Sequence, residues 1–371
     1  MFVRKLLWLA SQISLAALWV RFGSGAAFAL AMAMFLIPLV STGVNLYLRK
    51  KIRFQLTAAP NLHKGTVGYV DLVLENPTRF PINPVFTLMI RNQLNGVACR
   101  ERFSFAGMHT IAQIKSDHCG RLRVTVENAK LYDCFGLIGI PLNCREKCHI
   151  TVQPNGFETN ISLADSLGGL AESGQYSQYH PGTDMTETFQ LREYVPGDSP
   201  RQIHWKLSGK LDRLIVRDPG LPIIHDVLVF WERTSPGETL PSIDAQAEVI
   251  VSIGRACLQQ DVQFRLGWND TKENRCILHE IRELDDLIAI LPRLLSAQGS
   301  GDCDSGAALL VQTQPDVLCS HMIYVAHTPA PEVLDWNGFG RLTVLAASDG
   351  YDGAVRFDEN NYPTQLAALV I

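Results

Sequence analysis

The 371-residue sequence has little charge for its length, and neither sign of charge dominates. Its 33 basic and 37 acidic side chains leave a formal net charge of -4 at pH 7. Such a chain has no overall field that would gather nucleic acid or acidic lipid, so charged recognition has to be local. The nine cysteines are odd in number and irregularly spaced, which does not suit a disulfide framework and agrees with free thiols in a reducing cytosol.

Common metal and phosphate motifs are also missing. Cys144, Cys148 and His149, with Cys134 upstream, have neither a second matching pair nor the spacing of known zinc modules. The glycines of residues 299–306 are not followed by Lys-Ser or Lys-Thr, as a phosphate loop would require. We therefore expect no metal and no cofactor.

Two long apolar runs lie near the start of the chain. Residues 6–20 are nearly all apolar, and residues 26–48 contain no charged side chain. The second run is long enough to cross a hydrocarbon core of about 30 Å, whereas the first is marginal. A cleaved signal peptide would resemble the first run, but no convincing small-x-small cleavage site precedes the second. The pattern predicts a transmembrane hairpin over residues 1–51 that contacts the lipid bilayer through residues 6–48.

Basic residues flank both outer ends of this hairpin. Arg4 and Lys5 precede the first run, and the loop between the runs has only Arg21. The second run is followed by Arg49, Lys50, Lys51 and Arg53. The positive-inside rule therefore predicts a multi-pass protein of the cell membrane whose soluble domains lie in the cytoplasm. An extracytoplasmic binding protein would require the opposite topology.

The segment of residues 52–157 has the pattern of short strands. In "VGYVDLVLE", residues 67–75, apolar residues alternate with others at a period of two, and residues 121–127 behave likewise. Asn-Pro and Asn-Gly pairs mark the turns between such runs. Strands at this spacing without a helical pattern predict an antiparallel β-sandwich.

Strand and helix patterns alternate over residues 219–371. The predicted strands are "HDVLVFW", "VQFRLGW", "HMIYVAH" and "RLTVLAA". The predicted helices are "IDAQAEVIVSIGRACLQQ", "IRELDDLIAILPRLLS", interrupted at Pro292, and "GAALLVQT". This alternation predicts a Rossmann-like α/β domain whose parallel sheet is covered on both faces. Residues 158–218 form the predicted linker between the two soluble domains.

The linker ends in "REYVPGDSPRQIHWKLSGKLDRLIVRD", residues 192–218. Pro196-Gly197-Asp198 indicates a turn, and Ser199 is placed to cap a short helix through the amide of Gln202. Gly209 would stop that helix. Over residues 192–217, six basic residues outnumber the three acids Glu193, Asp198 and Asp212. The basic residues are Arg192, Arg201, Lys206, Lys210, Arg213 and Arg217.

Three interpretations of this segment stay open. It is a structural clasp, which holds the linker on the α/β domain, if Glu193 and Asp198 pair with the basic side chains. It is a docking surface if Arg201, Trp205 and Lys206 are exposed and the two acids orient them. It is the active site of a membrane-associated hydrolase or transferase if His204 converges with Glu193 and Asp198, although no hydroxyl stands out as the nucleophile.

The same segment strongly resembles the signature of domain-of-unknown-function family 58, a bacterial family. The resemblance is carried by Arg192, Glu193, Tyr194, Pro196, Gly197, Asp198, Arg201, Ile203, Trp205 and Lys206. It extends to the layout, since such proteins look like a membrane hairpin, a β-sandwich, this signature and a von Willebrand factor A-like domain. "DCFGLIGI", residues 133–140, resembles the family's strand end before the linker.

What the resemblance implies is an adaptor protein that is not an enzyme. Family members are commonly encoded beside a MoxR-type AAA+ ATPase and transglutaminase-like membrane proteins, so both are expected partners. The von Willebrand-type domain often binds a divalent cation through Asp-x-Ser-x-Ser after its first strand. Here residues 231–235 read Trp-Glu-Arg-Thr-Ser, and only Ser235 is in register. Because a hard cation needs several converging oxygens, we expect no metal at this edge, and Asp302 and Asp304 in a later loop are interpreted as solvated.

Overall fold

The computed structural model describes most of the chain. The described residues are 2–78, 80, 82–104, 109–144, 146–162, 184–220, 227–235, 237–271, 274–299, 304–313, 319, 321–333, 341–348 and 353–370. The chain divides into two compact units, Met1–Gln153 and Pro154–Ile371. Part of the predicted linker, residues 163–183, lies outside the described residues.

Two apolar helices begin the first unit, α1 (Phe2–Phe22) and α2 (Gly25–Leu48). Both are long and apolar enough to cross a membrane. Gly23, at a φ of +59°, allows the tight reversal between them. A hydrogen bond connects the two helices, in which the Trp8 indole donates to the carbonyl of Met34 at 3.2 Å. The prediction of two apolar N-terminal helices is therefore confirmed.

Nine strands follow in the described part of the first unit. They are β1 (Arg53–Ala58), β2 (Asn61–His63), β3 (Val67–Glu75), β4 (Asn83–Asn92), β5 (Ala98–Ser104), β6 (His109–Lys115), β7 (Gly120–Tyr132), β8 (Gly139–Pro141) and β9 (Lys147–Gln153). One sheet has the order β1-β3-β6 and the other β2-β9-β7-β4-β5, with β8 paired to β7. All pairs are antiparallel except β2 with β9.

Both sheets bury side chains in one hydrophobic core. Along β3, Val70, Leu72 and Leu74 are buried, while Tyr69 on the opposite face is 54% exposed. This is the period-two alternation predicted from the sequence. Phe86 of β4 enters the same core from the other sheet. The prediction of a strand-rich segment after the helices is confirmed.

The second unit mixes helices and strands. Its elements are β10 (Asn160–Ser162), β11 (Asp184–Glu193), a 3-10 turn (Pro200–Gln202), α3 (Trp205–Leu211), β12 (Ile215–Gly220), β13 (Val227–Trp231), α4 (Leu240–Gln259), β14 (Phe264–Asp270), β15 (Arg275–Ile281), α5 (Leu284–Leu294), α6 (Gly306–Thr313), β16 (His321–Ala326), β17 (Arg341–Ala346), β18 (Val355–Arg356), α7 (Tyr362–Gln365) and β19 (Ala368–Val370). Its largest sheet has six strands in the order β15-β14-β13-β16-β17-β18.

The sheet is mixed, whereas the sequence predicted a parallel one. The β15 strand pairs antiparallel with β14, and the other neighbours are parallel. Strand β15 is absent from the predicted elements, and the next predicted helix begins at residue 281. That helix begins at Leu284, because Glu283 and Asp286 form a capping box there. Pro292 does not interrupt α5; it removes one backbone hydrogen bond, and because only two helical residues follow it, little of the helix is disturbed.

Candidate functional site

The signature segment, residues 192–218, begins in one strand of a two-stranded antiparallel ribbon and ends in the other. Strand β11 pairs with β12 so that Arg192 lies opposite Val216 and Glu193 opposite Ile215. The 3-10 turn and α3 form the excursion between the two strands. The backbone amide of His204 donates to the carbonyl of Ile215 at 2.8 Å, which ties the excursion to β12. The first and last thirds of the signature are therefore held side by side.

One arginine holds the base of this excursion together. The Nη1 and Nη2 atoms of Arg192 contact the two carboxylate oxygens of Asp198 at 2.7 and 2.8 Å. Its Nε contacts Asp218 at 3.1 Å, and Gln190 donates to the same carboxylate at 3.0 Å. A bidentate guanidinium–carboxylate pair fixes both distance and orientation. We call Arg192, Asp198 and Asp218 the clasp.

Electrostatics agree with this geometry. The hydrogen bond from Arg192 and the amide of Val195, at 2.8 Å, lower the pKa of Asp198 to about 2. The hydrogen bonds to Asp198, the larger cause, and to Asp218 raise the pKa of Arg192 above its usual range. Gly197 lies at a φ of +116°, which lets the turn bring Asp198 back toward the strand. The predicted turn at residues 196–198 is thus held in place by Asp198, whose carboxylate accepts from Arg192 and from the amide of Val195.

The short helix differs from the prediction. Ser199 makes no side-chain cap, so the predicted cap is wrong, and only a 3-10 turn follows it. The α-helix starts after His204, whose Nδ1 accepts from the amide of Leu207 at 3.3 Å. The break arises because the amide of His204 bonds to β12 instead of continuing the turn. The helix continues through Gly209, the predicted stop, and ends at Leu211. The next residue, Asp212, caps it with a left-handed φ of 51°.

The two faces of the excursion differ sharply in exposure. Ile203 is buried, and the buried Ser208 hydroxyl accepts from the amide of Ile215 at 2.9 Å. Trp205, in contrast, is 66% exposed. Arg201, in the preceding 3-10 turn, and Lys206, the next residue, are exposed too. The excursion therefore exposes a large aromatic side chain and two cations.

The alternative catalytic group is not assembled by the contacts of the described residues. Asp198 is committed to Arg192, and Glu193 contacts Arg213. The Nδ1 atom of His204 accepts the helix-capping hydrogen bond. Because each side chain bonds to a different partner, the three do not form an acid–base set.

A second polar cluster, which the sequence did not predict, lies just after β13. Glu232 is 1% exposed. Its Oε1 accepts from the amides of Thr234 and Gly306, at 3.1 and 3.0 Å, and from the Thr234 hydroxyl at 2.5 Å. Its Oε2 accepts from the Tyr324 hydroxyl at 2.8 Å and from the amide of Ala307 at 3.3 Å. The carboxylate thus joins β13, β16 and the start of α6.

The next residue, Arg233, is also buried. Its Nη1 contacts both carboxylate oxygens of Glu238, at 3.1 and 3.0 Å, and its Nε donates to the carbonyl of Ala297 at 3.3 Å. Its guanidinium lies 4.6 Å from the centre of the Trp231 ring. This edge of the sheet is therefore occupied by internal hydrogen bonds. The only sequence signal for it was an acid and a base directly after an uninterrupted apolar run.

The remaining candidate metal ligands in the described part of the chain do not form a cluster. Among the described residues, no group of three or more His, Cys, Asp or Glu side chains could hold a metal ion. Burial raises the pKa of Cys148 to about 11, so this thiol resists the deprotonation that a zinc ligand needs. Asp304 is exposed, and Asp302 lies outside the described residues.

Comparisons with known proteins add little. No protein-family model matches the chain, and no curated protein matches it. A β-glucosidase from Listeria innocua aligns with a TM-score of 0.20 and 11% identity over 27% of this chain, which spans 16% of that enzyme. A cohesin module from a Clostridium perfringens family 33 glycoside hydrolase aligns with a TM-score of 0.21 and 8% identity, over 27% of this chain and 96% of the module. The DNA glycosylase AlkC from Pseudomonas fluorescens aligns with a TM-score of 0.20 and 15% identity, over 41% of this chain and 47% of that one. Likenesses this weak carry no conclusion about fold or function.

Proposed function

We propose that the chain is a membrane-anchored interaction protein that docks a partner through Arg201, Trp205 and Lys206. The observation that carries this proposal is the exposure of Trp205, 66%, on a helix whose base is held by the clasp. Tryptophan and arginine are the residues most enriched among those that dominate binding energies. A rigid base also lowers the conformational entropy lost when a partner binds.

The signature divides into two sets with different roles. Arg192 and Asp198 satisfy one another, so they hold the excursion in place and are not free to meet a partner. Arg201 and Lys206 make no ion pair among the contacts of the described residues, and both are exposed. The clasp and docking interpretations are therefore compatible, because each applies to its own residues. The partner that fits is a surface with acidic groups around an apolar pocket for the indole.

The resemblance of the signature to family 58 supports a particular partner, a MoxR-type AAA+ ATPase, with a transglutaminase-like membrane protein as another. The six-stranded sheet, with β13 and β16 at its centre, supports a von Willebrand factor A-like domain within a Rossmann-like class. The two sheets of the first unit support a β-sandwich. The basic residues at both outer ends of the hairpin support a cytoplasmic position for both.

The test is a pull-down of the full-length protein from its own membranes in mild detergent, followed by mass spectrometry. Wild type is compared with Arg201→Ala and Trp205→Ala. Arg282→Ala and Leu284→Ala are matched controls, since these exposed residues lie outside the signature. We expect the ATPase with wild type and both controls, and about 30-fold weaker binding for Trp205→Ala.

Folding is checked in the same preparations. Because Trp205 is exposed, its replacement should change the free energy of unfolding by no more than about 0.5 kcal/mol. Retention of the ATPase by folded Arg201→Ala and Trp205→Ala would refute the docking surface. Unfolding of Trp205→Ala would show instead that the indole is part of the structural base.

A further inference from the structure

A polar cleft of about 460 Å³ lies where the first turn of α1 meets the sheets of the same unit. Its lining includes two guanidinium side chains, Arg4 of α1 and Arg102 of β5, together with Asn83 and Ser104. The described lining residues include no aspartate or glutamate. A volume in this range suits a small ligand. The cleft is cationic and large enough for a phosphate ester.

The backbone around the cleft makes room for one of these cations. Gly136 lies at a φ of +72°, and a Cβ there would be 3.1 Å from the Nη1 atom of Arg4. Neither Arg4 nor Arg102 has an acidic partner among the contacts of the described residues. Two guanidinium groups on one cleft repel each other, and an anion between them would remove this repulsion.

The cleft also lies at the end of the hairpin where α1 begins and α2 ends. It includes Tyr132, whose carbonyl accepts from the buried Asn45 side chain of α2 at 3.1 Å. Asn45 lies one turn before the end of α2, and Arg4 lies in the first turn of α1. If the two helices cross a bilayer, this end of the hairpin is its boundary with water. Arginine at a helix end places its charge at that boundary.

An apolar cavity of about 300 Å³ adjoins the other side of the same loop. Trp8 and Phe35 contribute from the two helices, and Leu137 and Ile138 contribute from the loop that follows Asp133. Ile138 is 47% exposed although it is large and apolar. The loop is rigid at this point, because Asp133 accepts from the amides of Leu137 and Ile138 at 2.7 and 2.6 Å. One loop thus borders a cationic cleft and an apolar cavity.

We propose that this unit binds an anionic phospholipid, with its phosphate between Arg4 and Arg102 and an acyl chain along Trp8 and Ile138. An amphiphile is the chemical class that matches a cation pair beside an apolar lining at the membrane boundary. The proposal rests on the membrane insertion of α1 and α2. It does not depend on the docking surface at Trp205.

The test measures lipid binding by the full-length protein in detergent, by native mass spectrometry. Phosphatidylglycerol is the anionic probe and phosphatidylcholine the zwitterionic one. The variants are Arg4→Gln and Arg102→Gln. Controls are Arg21→Gln, at the far end of α1, and Arg100→Gln, on β5 but paired with Glu127. Arg4→Gln and Arg102→Gln should each bind phosphatidylglycerol about fivefold more weakly than wild type, since one basic side chain near a membrane contributes about that factor. The two control variants should bind it as tightly as wild type.

Three outcomes would overturn the proposal. The first is equal binding of the two lipids by wild type, and the second is unchanged binding by Arg4→Gln and Arg102→Gln. The third is displacement of the lipid by an equal concentration of inorganic phosphate, which would assign the cleft to free phosphate. Alkaline extraction of the membranes separates the premise from the site. Release of wild-type protein would refute membrane insertion itself, whereas retained protein without lipid preference would refute only the lipid site.

Discussion

Replacement of Glu232 by alanine should destabilise the sheet of the second unit strongly. The side chain is 1% exposed, and its carboxylate accepts hydrogen bonds from β16 and from the start of α6. Alanine would leave four buried donors, besides the Thr234 hydroxyl, without this acceptor. These donors are the hydroxyl of Tyr324 and the amides of Thr234, Gly306 and Ala307.

The magnitude follows from those four donors. Each unsatisfied buried donor costs about 1 to 3 kcal/mol, which alone would sum to about 4 to 12 kcal/mol. The alanine variant recovers part of this free energy, because it no longer buries a carboxylate. We expect a net loss of about 3 to 5 kcal/mol in the free energy of opening of this region.

Hydrogen–deuterium exchange read by mass spectrometry is the suitable assay, because a chain of two units need not unfold in one step. Exchange of the amides of β13 and β16 should be at least about two orders of magnitude faster in Glu232→Ala. Tyr324→Phe removes a single donor and should give an increase of about tenfold. Glu280→Ala, at an exposed ion pair, should give no change.

Exchange in Glu232→Ala within twofold of wild type would refute this reasoning. It would mean that the carboxylate does not hold β13, β16 and α6 together. This edge of the sheet would then have to be reconsidered as a site that is open to a ligand.

Further predictions concern pH and backbone strain. Burial lowers the pKa of His321 to about 4, so stability present above pH 6.5 should be lost between about pH 6.5 and 4, by about 3 kcal/mol, and thermal unfolding of His321→Gln should lack this slope. The pKa of Asp198, about 2, predicts that β11 and β12 lose exchange protection between about pH 4 and 2, and that Asp198→Asn lacks this loss. Gly120→Ala should cost about 2 to 4 kcal/mol in urea unfolding, because a Cβ there would lie 2.2 Å from a buried asparagine oxygen. Gly65→Ala, at a positive φ in open space, should cost only about 1 kcal/mol, and equal costs would contradict the clash.

Local pattern was enough to predict most elements. The two apolar helices, the alternation along β3 and the strands β13, β14, β16 and β17 all follow from the spacing of apolar residues. Strand β15 was missed, because "RCILHEI" has no clear period and one of its edges is open. A charged edge strand carries a weaker signal than a buried one.

The sequence by itself determined which residues of the signature are dense in charge and where its turn lies, because these depend on neighbours in the chain. Only the tertiary structure decided that Arg192 pairs with both Asp198 and Asp218, that His204 caps α3, and that Trp205 is exposed. The same holds for Glu232, whose donors at Gly306 and Tyr324 lie 74 and 92 residues away in sequence. Pairing over such distances depends on which strands become neighbours in a sheet, and a short-range pattern does not contain that information.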